Sequence, residues 1–354
     1  MIQQLLAHLE QQHFDAMFIQ KKENVRYISG YTGDDSYLFI TKEQAYFITD
    51  PRYTEQAAEE CPAFTLHNWR HGNQTVVDAV AALAAQEKAK NIAFESDGMS
   101  AGAYLALQKA TTAELIPTAG IIEQMRAIKT PEEIANLRIA CEIACRALDR
   151  LLPEIRVGVT EKELAARLAH YMVLEGADTQ PYGNILISGK RTSLLHGIPS
   201  SKAVEYGDFV LMDFGCQYKG YLSDMTRTVV VGKASDRQRE VYQLEKQMIE
   251  NAESVMKAGA SVEEVYDASV RGMQQSEYLP YHYPSIGHGI GLFVHEMPFI
   301  RPHSDAVLQE GNVCTIEPGI YIPGWGGVRI EDQVVITQDG YENLVRTTHD
   351  LIEL

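Results

Sequence analysis

The 354-residue sequence predicts two domains of different class, an α/β domain over residues 1–124 and an α+β domain over residues 125–354. Two observations lead to this division. In the first third, short runs rich in β-branched and aromatic residues alternate with helical segments. Beyond residue 125, amphipathic helices come before and between strand-like runs joined by glycine-rich turns.

The N-terminal strands are read at DAMFIQ (15–20), SYLFIT (36–41), AYFITD (45–50) and NIAFES (91–96). RYTEQAAEE and the alanine-rich TVVDAVAALAAQEKA supply helices between them. The second domain opens with a long helix running to Leu152, with Thr130 as N-cap, Pro131 at the first helical position and acids in the first turn. Further helices are read from Glu161 to Glu175 and from Asp236 to Lys257. Strands follow from GNILIS, DFVLMDFG, GYLSDMTRTVVVG, NVCTIEPGIYI and GGVRIEDQVVIT.

Composition narrows the function. Apolar residues at 45% and charged residues at 22% describe an ordinary globular chain. A formal charge of -17 with no basic stripe excludes a nucleic-acid partner, because phosphates are bound through clustered lysine and arginine. The five cysteines, Cys61, Cys141, Cys145, Cys216 and Cys314, are odd in number and contain no CxxC pair, which fits a reducing compartment. The N-terminus has no signal-peptide pattern and no run reaches bilayer length, so a cytoplasmic protein without a membrane partner is expected.

Acids placed inside apolar strands point to chemistry. Asp213 interrupts FVLMDFG, where burial of an ionised carboxylate demands a partner or a metal. If Lys219 and Gly220 form a two-residue hairpin loop, Gly215 opposes Asp224, and Asp213 lies diagonal to Asp224 on the same face. Glu317 follows the apolar VCTI, and Glu331 shares a strand face with Arg329, which either holds the acids together or touches substrate. A lone acid is an ordinary surface residue; four in such contexts are not. His288 sits among Gly287, Gly289 and Gly291, which allow close backbone approach, and His295 follows seven residues later. Four carboxylates cannot share one site in ionised form without cations, and two divalent ions cancel their charge. Oxygen-rich ligands with one imidazole favour Mn²⁺, Co²⁺, Fe²⁺ or Zn²⁺ over copper and do not choose among the four. Two such ions, about 3.5–4 Å apart, activate a water and polarise a carbonyl.

The ordered motifs DFG with SDMTRT, GHGIG with VHE, TIEPG and VRIED resemble the M24, or pita-bread, metallopeptidases, and the likeness runs over essentially the whole chain. The resemblance implies a creatinase-like N-terminal domain and a pita-bread catalytic domain. The N-terminal domain and HGIPSSK point to the proline-specific branch, aminopeptidase P and Xaa-Pro dipeptidase. By resemblance, Asp213, Asp224, His288, Glu317 and Glu331 bind two metal ions, Asp213 and Glu331 helping to bridge them. Glu317 would also take the proton of the attacking water. His196 and His295 match substrate-contacting histidines, Arg329 an active-site arginine, and Tyr182 an aromatic wall for the substrate's proline. A homodimer is implied as well.

Two departures stand out. The family's usual histidine four residues before His288 is Pro284 here, with His282 two residues earlier. The stretch PYGNILISG differs at Tyr182 and Gly183, and Leu195 precedes His196 where proline is common. The resulting expectation is an Xaa-Pro aminopeptidase acting on peptides with proline second. Its alternatives are an Xaa-Pro dipeptidase, for which no clamp for the substrate carboxylate is identifiable, a hydrolase of a non-peptide C–N bond, and a non-catalytic binding module.

Overall fold

The computed structural model describes residues 1–70 and 72–354, and the chain divides into two compact units, Met1–Arg126 and Ala127–Leu354. The first unit is a mixed six-stranded sheet of β1 (Ala16–Ile19), β2 (Tyr37–Thr41), β3 (Ala45–Thr49), β4 (Thr65–Asn68), β5 (Asn91–Glu95) and β6 (Glu114–Thr118), in the order β4-β3-β2-β1-β5-β6. β1, β2 and β3 pair antiparallel, while β4 and β6 join in parallel at the edges. The four inner strands are those the sequence predicts. The two edge strands escaped because TLHN and ELIPT are only partly buried and carry no apolar alternation. Pro117 is tolerated in β6 because an edge strand leaves one side of its backbone unpaired. Phe18, Phe39, Ile48 and Phe94 pack with Val80 and Leu83 of the helix Val76–Gln86.

In the second unit the long helix spans Pro131–Leu151. The Thr130 side chain accepts from the Glu133 N–H, and the Glu133 carboxylate accepts from the Thr130 N–H, completing a capping box. Thr130→Ala should lower stability by about 1 kcal/mol in a urea melt with unchanged slope. Further helices are Glu161–Leu174, Asp236–Glu253 and Val262–Val270. The last was absent from the sequence reading, and the third ends at Glu253, short of the expected Lys257.

The strands here are β7 (Ile185–Ser188), β8 (Phe209–Phe214), β9 (Gln217–Tyr218), β10 (Tyr221–Leu222), β11 (Met225–Val230), β12 (Gly287–Gly289), β13 (Glu296–Ile300), β14 (Val313–Ile316), β15 (Gly319–Ile322), β16 (Gly326–Arg329), β17 (Asp332–Ile336) and β18 (Tyr341–Asn343). They form antiparallel sheets β11-β8-β7 and β13-β12-β14-β17-β18, plus the ribbons β9–β10 and β15–β16. Three segments read as single strands are each broken in two, GYLSDMTRTVVVG among them, which splits at Ser223–Asp224 into β10 and β11. NVCTIEPGIYI splits at Glu317–Pro318 into β14 and β15, and GGVRIEDQVVIT splits at Ile330–Glu331 into β16 and β17. The halves belong to different sheets, because each chain must leave one hydrogen-bonding partner and take up another. Strand period explains the layering. Val210, Met212 and Phe214 of β8 pack with Leu137, Ala144 and Leu148 of the long helix, which leaves Asp213 on the opposite face.

Candidate active site

Strand register gathers the acids. Lys219 and Gly220, both with positive φ, make the two-residue turn between β9 and β10. The same register continues into β8 and β11, where Asp213 pairs with Thr226. Asp213 also pairs with Ile185 of β7, and Thr226 bridges onward to Glu331. Opposed residues of antiparallel strands share a face, so Ile185, Asp213, Thr226 and Glu331 form one row. Period two then adds Asp224 beside Thr226, and Arg329 beside Glu331. A cavity of about 330 Å³ is lined by these acids and Arg329 together with Tyr182, His196, His288, His295 and Glu317. Every candidate metal-ligating, catalytic and substrate-contacting residue of the sequence reading therefore lines one cavity.

His288 comes from the larger sheet. A Cβ on Gly287 would lie 2.1 Å from the Thr315 carbonyl oxygen, and one on Gly289 would lie 2.1 Å from that of Met297. Only glycine permits this approach. The Thr315 hydroxyl accepts from the His288 N–H at 3.2 Å and donates to Glu317 Oε1 at 3.4 Å. His288 Nδ1 donates to the Gly289 carbonyl at 3.0 Å, which sets the ring orientation. Nε2 then stands 3.3 Å from Glu317 Oε1 and 3.8 Å from Asp224 Oδ2. Ligand atoms of Asp224, His288 and Glu331 lie within 4.8 Å of one another. The His295 ring meets that of His288 edge-on, centroids 4.6 Å apart.

Arg329 is fully engaged. Its guanidinium donates to Asp213 Oδ2, to the Tyr321 hydroxyl at 2.8 Å and through Nε to the Thr226 hydroxyl at 3.0 Å. Thr226 in turn donates to Glu331 Oε2 at 2.6 Å. Of the two roles open to this arginine, holding the acidic cluster together is the one its contacts serve. Tyr321, Thr226, Thr315 and Gln333, whose Oε1 accepts from the Asp224 N–H at 3.0 Å, went unnoticed in the sequence. Thr226 was legible in principle, since it sits two residues past Asp224 in SDMTRT.

The electrostatics leave the cluster short of positive charge. Burial, then repulsion from Asp213, pushes Asp224 up to about 8. Burial, then Asp224, holds Glu331 well above the carboxylate range, and burial raises Asp213 even beside Arg329. Burial is the largest influence on Glu317 and opposes its ionisation, but the hydrogen bond and charge of His288, with Arg329 and His295, together lower this carboxyl. Burial likewise opposes the charge of His288, and the hydrogen bond and charge of Glu317 together with Asp224 and the Gly289 carbonyl lift it to about 9. Charges arranged in this way call for cations.

Comparison with known proteins decides the affiliation. A model of metallopeptidase family M24 matches residues 135–338, and one of the creatinase/prolidase N-terminal domain matches residues 1–128. The chain belongs to metallopeptidase family M24. An Xaa-Pro dipeptidase of Pyrococcus horikoshii is 35% identical over 352 residues, which cover 99% of this chain and 98% of the relative. Among solved structures, an Xaa-Pro dipeptidase from Bacillus anthracis superposes with a TM-score of 0.96 at 37% identity, covering 100% of this chain and 99% of the other. The X-Pro aminopeptidase from Thermotoga maritima gives 0.89 at 35% identity, with 98% and 100% covered. This M24 protein is thus a metallo-exopeptidase of the Xaa-Pro branch, built of a creatinase-type N-terminal domain and a pita-bread catalytic domain.

The M24 family uses divalent metal, and the side chains present fit one. The donor set is oxygen-rich with one oriented imidazole, and its carboxyls resist ionisation without added positive charge. In this M24 peptidase Tyr182 is among the residues lining the cavity, and its hydroxyl lies 2.7 Å from Asp224 Oδ1 and 2.9 Å from the Ser223 carbonyl. Tyr182→Phe should weaken Mn²⁺ affinity by about 10- to 100-fold, the usual effect of losing a hydrogen bond to a ligand, as read by titration with the metal. His282 does not replace the histidine missing at Pro284. It bridges to Ile320 and stacks near Tyr266 with centroids 5.9 Å apart, and the cavity is lined in this segment by Tyr283 and Ser285.

Proposed function

We propose that this enzyme removes the N-terminal residue from peptides with proline in the second position, and that it prefers peptides continuing beyond the proline. The carrying observation is the cavity lining. Besides the acids and histidines it contains Leu195, Val294, Tyr283 and Phe299, and among the described residues Arg329 is its sole lysine or arginine. A proline imide has no N–H to recognise, so an apolar wall that fits the ring is the suitable reader. A dipeptide substrate would bring a free carboxylate into the same space. Arg329 is committed to Asp213, Tyr321 and Thr226, and burial, then His288, lowers the pKa of His295. Among the described residues no other lysine or arginine lines the cavity to meet that carboxylate, which favours substrates that extend further. Relatives named Xaa-Pro dipeptidase favour the second reading, cleavage of Xaa-Pro itself.

Asp213, Asp224, His288, Glu317 and Glu331 would hold two divalent ions, Mn²⁺ first among the candidates. When bound, these supply Lewis-acid polarisation of the scissile carbonyl and a water that loses its proton readily. Glu317 accepts the proton of the attacking water on its carboxylate and passes it to the proline nitrogen. His295 and His196 face the developing oxyanion and orient the peptide. Arg329 fixes Asp213, and the apolar wall excludes water from the proline ring. A homodimer in the cytoplasm completes the proposal; the five buried free thiols suit that compartment, and sedimentation velocity tests the dimer.

The decisive assay compares kcat/KM for Ala-Pro-Ala, Ala-Pro and Ala-Ala-Ala under one Mn²⁺ concentration. Ala-Pro-Ala should lead. Faster use of Ala-Pro establishes the dipeptidase reading instead, and equal use of Ala-Ala-Ala removes the proline claim.

A further inference from the structure

His295 has no regular secondary structure of its own to hold it. It ends the loop from Gly291 that leads into β13, and its neighbour Glu296 turns inward. Glu296 pairs with Gly289, adjacent to His288, across an irregularity in the β12–β13 register. Its Oε1 accepts from the Phe293 N–H at 2.9 Å, inside the loop. Its Oε2 lies 3.1 Å from Lys129 Nζ, and the two side chains are 5% and 1% exposed. Lys129 is itself anchored, since its backbone N–H donates to the Gly311 carbonyl at 2.9 Å and the next residue caps the long helix. The loop folds closely around the carboxylate: a Cβ on Gly291 would stand 2.8 Å from a Glu296 oxygen. Buried ion pairs add little net stability compared with apolar packing, so stability alone does not account for one here.

We propose that Glu296 and Lys129 form a positioning pair that acts through His295, locking the Gly291–His295 loop so that the imidazole stays beside His288. Glu296 grips the loop backbone at Phe293, and Lys129 fixes Glu296 to the start of the helix. The pair touches no substrate. This inference rests on the reading of His295 as a substrate-side residue.

Single substitutions would strand a buried charge, so the test uses double variants. Lys129→Met with Glu296→Gln removes the charges and keeps an acceptor for the Phe293 N–H. Lys129→Met with Glu296→Leu removes both. Each is made in the wild-type and the His295→Ala background and assayed on Ala-Pro-Ala with Mn²⁺. In the wild-type background the Leu pair should lose about 10- to 100-fold in kcat, the scale of misplacing a catalytic group by about 1 Å, with KM and metal content unchanged. The Gln pair should keep at least about ten times the kcat of the Leu pair. In the His295→Ala background the Leu pair should cost nothing further, because the group it positions is gone. Additive losses there, or equal losses for the Gln and Leu pairs, overturn the positioning role while leaving His295 intact. A His295→Ala enzyme with full kcat overturns both readings. Gly291→Ala, which presses a methyl on the Glu296 carboxylate, serves in the same cycle if the Leu pair does not fold.

Discussion

Asp224→Asn should cut kcat/KM on the order of 10³-fold, equivalent to about 4 kcal/mol of transition-state stabilisation, and should lower the metal bound per chain. Wild-type protein saturated with Mn²⁺ should approach two ions per chain by elemental analysis. The substitution preserves shape and an oxygen at Oδ1 for the Tyr182 hydroxyl, so the loss reports on charge. A second readout separates ligation from folding. Without metal, Asp224 has a folded pKa of about 8, far above that of an unfolded aspartate, because burial and Asp213 oppose its charge. The native state then holds a proton that the unfolded chain has released, so stability from this group is complete below about pH 4 and is lost as pH rises to about 8. Asparagine carries no such dependence. Metal-free Asp224→Asn should therefore melt above metal-free wild type at pH 8, and below it once Mn²⁺ is added. A metal-free wild-type preparation with full activity would sink the metallopeptidase site itself.

The other large effect belongs to His295. His295→Ala should lower kcat by about 10²- to 10³-fold, the range for a positioned acid–base or oxyanion group, while metal content stays near wild type. The ring meets that of His288 edge-on, with centroids 4.6 Å apart. His196→Ala should follow the same pattern, since His196 lines the cavity with the cluster. Loss of metal on His295→Ala would instead place that imidazole among the ligands and redraw the division of roles.

Relatives carrying the dipeptidase name and a cavity whose arginine is already engaged with Asp213, Tyr321 and Thr226 pull the substrate assignment in opposite directions. Phe299 is central to that tension. It stands directly across from His288 in the strand register and is 38% exposed towards the space that a substrate would enter. Nothing in the sequence drew attention to it, because an aromatic residue in a strand is ordinary; its significance comes only from its neighbour across the ladder.

That contrast describes the whole molecule. Strong local signals made several elements legible from residue types alone: four inner strands of the first sheet, the capped helix at Pro131, and the Lys219–Gly220 turn. The sequence also singled out the carboxylates and histidines that line the cavity, since a carboxylate inside FVLMDFG is costly to bury without a partner. Edge strands β4 and β6 lacked that legibility because a half-exposed strand needs no apolar pattern. Tertiary structure decided the breaks at Glu317 and Ile330–Glu331, where the chain passes from one sheet to another. It decided the commitment of Arg329 to Asp213, the second role of the Tyr182 hydroxyl, and the turning away of His282. Each of these depends on which residue lies across a strand or behind a helix. Local propensity carries no record of such non-local neighbours, because they are set by how the strands pair once the core has packed.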